Sequence, residues 1–211
     1  KQQPKSAHRK RQRSRFMNQT TAPAPSSRYK QSWILLLIFT ASGFSGLIYQ
    51  SIWSHYLGLY LGHAAYAQAL VLAIFMGGMA LGAWTVSKRS AQWRNLIKGY
   101  AIIEAIIGVI ALVFHAIFTN SLDLFYEQII PALGTPSLVY IWKWFSAALL
   151  ILPQSILLGM TFPLLSGGYI RRTKNQDGQV LRGLYFTNSI GAAAGALAST
   201  FLLLPWSGLP G

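Results

Sequence analysis

The chain has 211 residues, of which 53% are hydrophobic and only 10% charged, where a soluble domain carries charge on roughly a quarter of its positions. That balance excludes an ordinary soluble enzyme. The acidic residues are Glu104, Asp123, Glu127 and Asp177, so paired-carboxylate chemistry has few candidates, and the absence of cysteine excludes disulfide scaffolds, iron–sulfur clusters and cysteine-ligated zinc. The net charge of +14 would suit a nucleic-acid binder only if the basic residues formed a suitable surface, and they lie instead in blocks.

A bilayer core needs roughly 20 helical residues with few charges. Taken in chain order, five runs meet that length: about 33–53, 64–86, 97–118, 138–165 and 184–206. Period-two alternation, the mark of a membrane β-barrel, is absent from stretches such as Ile34 to Phe39. The expected fold is therefore all-α, a polytopic membrane bundle of five transmembrane helices. The first run is too long for the apolar part of a cleaved signal peptide.

Half of the 18 Lys and Arg residues precede Trp33. Further groups, Lys88, Arg89, Arg94 and Lys98, then Arg171, Arg172, Lys174 and Arg182, fall between runs two and three and runs four and five. Ser54 to His63 and Thr119 to Ser137 carry none. Because basic loops stay cytoplasmic, the N-terminus is expected inside, in a bacterial inner (plasma) membrane. Lys143, between Trp142 and Trp144, is the exception and is expected to snorkel to the interface as an anchor.

Residues 1–32 are poor in apolar side chains and rich in Arg, Lys, Gln, Pro and Ser, which predicts a disordered cytoplasmic tail. Its expected partner is a lipid surface with anionic headgroups. Nucleic acid is disfavoured, since only Phe16 and Tyr29 interrupt the basic stretch with a stacking ring. Lys1 is not an initiator, so either upstream sequence precedes it or Met17 starts the chain. The run Pro205 to Gly211 is expected to be a turn leading to another helix.

Small residues four apart let helix backbones approach in lipid. Gly58 with Gly62, Gly78 with Gly82, and Gly191 with Gly195 make three such pairs. They serve either packing within the bundle or docking of a protein partner or a second copy. Pro153 and Pro163 predict a kink, and a candidate hinge, in the fourth span.

Glu104 lies inside the third span, where a carboxylate must face protein or water, and it is the leading site candidate. At helical spacing Tyr100, Gly108, Ala111 and His115 share its face. Gln50 and Asn188, on small-residue stripes of the first and fifth spans, are the expected partners. Such an intramembrane polar cluster could hold a cation, a polyamine or a proton, or could be a hydrogen-bonded packing element. His55, His63 and His115 lack metal-ligand spacing, so no metal and no cofactor are expected.

Read together, the motifs Ser42-Gly43-Phe44-Ser45-Gly46-Leu47-Ile48-Tyr49-Gln50, Gly77-Gly78-Met79-Ala80-Leu81-Gly82, Leu158-Gly159-Met160-Thr161-Phe162-Pro163 and Gly183-Leu184-Tyr185-Phe186-Thr187-Asn188-Ser189-Ile190-Gly191 give a resemblance. The chain from Trp33 onward resembles the membrane portion of the spermidine-synthase-like proteins, in which a transporter-like helical bundle precedes an aminopropyltransferase domain. The resemblance implies a transporter-like half-bundle that anchors, or supplies polyamine to, an aminopropyltransferase. None of that enzyme's catalytic residues has a counterpart here, because no strand, Gly-rich loop and helix unit and no acidic pair are present. A non-catalytic accessory subunit of a larger membrane complex is the second reading, and a small-molecule transporter the third.

The topology has a direct check. Trypsin added outside intact cells is expected to spare the basic stretches around Arg89 and Arg171; cleavage there would reverse the orientation.

Overall fold

The computed structural model describes residues 26–173 and 178–209, and all regular structure among them is helical. The sequence expectations for residues 1–25 lie outside the described residues. By contacts the chain divides into two units, Lys1–Leu35 and Leu36–Gly211. The described residues of the first are the opening turns of a helix, and the second holds the bundle.

Five helices are long and apolar enough to cross a membrane, as the run lengths predict. They are α1 (Ser26–Leu61), α2 (Ala64–Arg89), α3 (Leu96–Leu124), α4 (Pro136–Thr173) and α5 (Gly178–Ala198). The chain is thus an all-α integral membrane protein. The helices overrun the predicted spans. α1 begins at Ser26, inside the stretch expected to be disordered, since adding turns to an existing helix costs far less than nucleating one. At its other end, the expected loop 54–63 is helical as far as Leu61. Gly62 stops it with φ 75°, a conformation that glycine adopts without strain.

The third span is extended in the same way. After α3 come a π-helical turn, Phe125–Ile129, and a last helical turn, Ile130–Ala132, so most of the expected loop 119–137 is helix. Gly134, with φ 65°, makes the break before α4. α5 repeats this arrangement: a π-helical turn, Ser199–Leu203, leads into Leu204–Ser207, and Gly208 ends the helix at φ 67°. A proline follows each π-helical turn after one residue, Pro131 and Pro205. A proline ring clashes with the carbonyl four residues earlier, and widening the preceding turn relieves that crowding. The turn expected at Pro205 therefore begins only at Gly208.

α4 runs as one helix through both Pro153 and Pro163. Hydroxyls bond to backbone carbonyls along this stretch, Ser155 to Ile151 at 2.9 Å, Thr161 to Leu158 at 2.7 Å and Ser166 to Phe162 at 2.7 Å. None of the three donates to a carbonyl that a proline frees, those being Leu149 and Gly159, four residues before Pro153 and Pro163. α4 is also the most enclosed of the five, and α5 the least, with 44% and 17% of their apolar windows buried.

The bundle is joined at two glycine-mediated crossings. Between α2 and α4, a Cβ on Gly82 would strike the Ile156 carbonyl and one on Gly78 would strike Ser155. One on Gly159, from the opposite side, would strike the backbone of Met79. Between α5 and α1, Gly191 lies against the Thr40 carbonyl, Gly195 against that of Phe44, and Gly43 of α1 against Asn188. The pairs predicted at 78/82 and 191/195 thus sit where helices of the same chain cross. Gly58 and Gly62 do not form such a face, because Gly62 ends α1 with open space around it and Gly58 reaches only the edge of Ala64.

Aromatic packing fills the half of the bundle nearer Leu61. Trp53 meets Phe75 of α2 and Phe114 of α3 at ring-centre distances of 6.2 and 6.1 Å, and Tyr56 meets Phe118 at 4.6 Å. Each such pair adds about 0.5–1.5 kcal/mol beyond the area it buries. At the basic end, the Arg171 guanidinium donates to the carbonyls of Ser90 and Trp93 at 2.7 and 2.9 Å, tying α4 to the α2–α3 connection. The Asn95 side chain caps α3 by accepting from the Lys98 amide at 3.1 Å. Large side chains such as Trp206, 93% exposed, and Phe201 face outward, as hydrocarbon surroundings allow.

The crossings predict a contrast. Gly159→Leu is expected to lower thermal stability by more than the ~1–3 kcal/mol typical of overpacking, because backbone rather than a side-chain tip stands in the way. Gly77→Ala, with open space around it, is expected to be neutral or stabilising. Thermal denaturation in detergent compares the two.

Candidate functional site: an intramembrane carboxylate

Glu104 stands in the α3 span, half-buried, and its carboxylate accepts a hydrogen bond from the Ser42 hydroxyl of α1 at 2.6 Å. Ser42 and Tyr100 are buried. The Tyr100 hydroxyl lies beside this pair, one turn before Glu104 on α3, yet makes no well-formed hydrogen bond. Among the described residues Glu104 forms no hydrogen bond to Gln50, Asn188 or His115, and no ion pair with Lys or Arg.

The five residues expected to form one cluster therefore occupy several places. Tyr100 stays with Glu104. His115 lies roughly 16 Å further along the helix axis at 1.5 Å per residue, where its Nδ1 pairs with the Tyr56 hydroxyl at 2.6 Å. Asn188 packs against Gly43 at the α1–α5 crossing. Gln50 is buried on α1, two turns beyond Ser42, and its carbonyl accepts from Ser54 at 2.9 Å. Sharing a helix face puts residues on one side of a rod without bringing them to one depth, which is why His115 and Gln50 part from Glu104; Asn188 stays near the depth of Ser42.

Ser42 was missed as a partner. It lies in the glycine-bracketed run of α1, and its serine could have been noticed beside Gly43 as a small polar residue on the crossing face. Tyr56 was missed because the ring series Tyr49, Trp53, Tyr56 and Tyr60 resembles ordinary core packing. Gln154 follows Pro153 on α4, and among the described residues its amide oxygen and amide nitrogen are both buried without partners. It lines a cleft of about 690 Å³ shared with α1 and α3.

Lys143, expected to be an interface anchor, has defined protein partners near the start of α4. Its ammonium donates to the Tyr60 carbonyl at 3.0 Å, and the Tyr126 hydroxyl donates to the same oxygen at 2.9 Å. The Tyr60 and Tyr126 rings flank the charge at 5.3 and 5.5 Å. The free carbonyls and negative dipole at the C-terminus of α1 favour a cation there.

Lys143→Met is expected to cost about 1–2 kcal/mol of stability, with Lys143→Arg costing less; thermal denaturation of both variants checks this. No metal-ligand cluster occurs among the described residues. Compared with known proteins, the chain matches no family model, no curated protein and no solved structure.

Proposed function

We propose that the chain is the integral membrane module of a spermidine-synthase-like protein, holding polyamine at Glu104 for an aminopropyltransferase whose catalytic domain is not among these residues. The sequence resemblance supplies the family, and the chemistry of Glu104 supplies the ligand class. A carboxylate inside a membrane span needs compensation. Ser42 accounts for one of the several hydrogen bonds its two oxygens can accept. The remaining acceptor capacity, with no Lys or Arg of the described residues paired to it, suits an ammonium group. That unmatched acid is the single observation on which this reading rests. In the same reading the protein resides in a bacterial inner membrane with its basic tail on anionic cytoplasmic headgroups.

The accessory-subunit reading is less favoured, because the glycine faces of α2 and α5 that would dock a partner are occupied by α4 and α1. The transporter reading has the polar pair in its favour, and no further observation supports it.

Glu104→Gln keeps the shape and removes the charge. Spermidine binding to the purified protein is expected to weaken tenfold or more, a loss of about 1.4 kcal/mol, with thermal stability unchanged or raised. Unchanged binding with altered stability would assign Glu104 to packing and end the polyamine reading.

A further inference from the structure

Gln154 is the least satisfied polar side chain among the described residues. It stands midway along the α4 span, 136–172, is 1% exposed, and leaves both ends of its amide unpaired. Native proteins rarely bury such a group without a use for it. The cleft it borders, about 690 Å³ between α1, α3 and α4, lies within the range of small-molecule sites.

The lining of that cleft defines its ligand. Trp53 and Phe114 contribute aromatic walls, and among the described residues the other polar groups are the hydroxyls of Tyr49 and Tyr56 and the His115 ring. No Lys, Arg, Asp or Glu of the described residues lines it. An ion there would lose its hydration without gaining a counter-charge, so the ligand is neutral. Val109 and Leu112 at the rim are 61% and 86% exposed on membrane-spanning α3, which makes hydrocarbon the route of entry. The glutamine amide offers a donor and an acceptor side by side, and only a head group with both satisfies it.

We infer that this cleft binds a neutral, lipid-soluble molecule whose head group both donates and accepts hydrogen bonds, of the primary-amide type, seated on Gln154 with its apolar part against Trp53 and Phe114. The inference is independent of the polyamine reading, since Glu104 does not line the cleft.

The test uses the full chain in phosphatidylcholine nanodiscs, with oleamide as the probe and methyl oleate, which can only accept, as its comparison. Oleamide is expected to bind at least tenfold more tightly. Gln154→Met is expected to abolish that preference while leaving the unliganded protein as stable or more so, because a buried unpaired amide is removed. Gly108→Leu provides a second reading if Gln154→Met does not fold. Its new side chain enters open space in the cleft, where a Cβ meets nothing within 4 Å, and oleamide binding is expected to be lost with the fold intact. Spermidine binding is expected to be unaffected by Gln154→Met, and oleamide binding by Glu104→Gln. Equal affinity for the two probes, a preference that survives Gln154→Met, or oleamide binding that survives Gly108→Leu would overturn the inference. So would a Gln154→Met variant that loses stability without losing affinity, the behaviour of an amide satisfied by water or by a neighbouring helix.

Discussion

The arrangement of this protein depends on backbone meeting backbone where α2 crosses α4 and where α5 crosses α1. In hydrocarbon, apolar side chains gain little by leaving lipid for one another, so close packing and weak polar contacts must supply the association. Gly78, Gly82 and Gly159 make the first crossing reciprocal, each helix presenting a glycine to the other's main chain. Gly191 and Gly195, one turn apart, set α5 against Thr40 and Phe44, also one turn apart. This matched spacing fixes the sliding register of α5 on α1, and a shift of one residue would drive Cβ atoms into carbonyl oxygens.

The polar features follow from that register. Once α1 is held along α5, Ser42 sits next to the crossing residue Gly43 and turns its hydroxyl to Glu104 of α3. The aromatic residues of α1 fill the opposite half of the bundle, and Tyr60 brings its carbonyl within reach of both Lys143 and Tyr126. The Lys143 cation is held at the C-terminal end of α1. The orphaned Gln154 has the same origin. Its neighbour Ser155 is committed to the tight α2 crossing, and Gln154, next along α4, borders the cleft lined by α1 and α3.

The spans were legible because each is a local quantity. A run such as 64–86 has to be apolar and about twenty residues long, whatever surrounds it. Helix ends were less legible, since α1, α3 and α5 continue past the hydrocarbon-length runs until Gly62, Gly134 and Gly208 interrupt them or their extensions. Those glycines could be read either as packing residues or as stops, and in Gly62 the stop prevails because its φ of 75° disfavours any residue with a Cβ. The prolines of α4 lie within one continuous helix.

The sequence by itself determined the all-α class, the number of membrane-length helices and the residues small enough for helices to cross, because hydrophobicity and side-chain size belong to each segment alone. Tertiary structure decided which polar groups meet. Ser42 bonding to Glu104, Lys143 turning to Tyr60, His115 parting from Glu104 and Gln154 lacking any partner all depend on how each helix is rotated and at what depth it stands against its neighbours. Periodicity specifies the face a residue occupies on its own helix. It carries no information about the level on another helix that the face will meet, and a few ångströms of sliding separate a hydrogen bond from none.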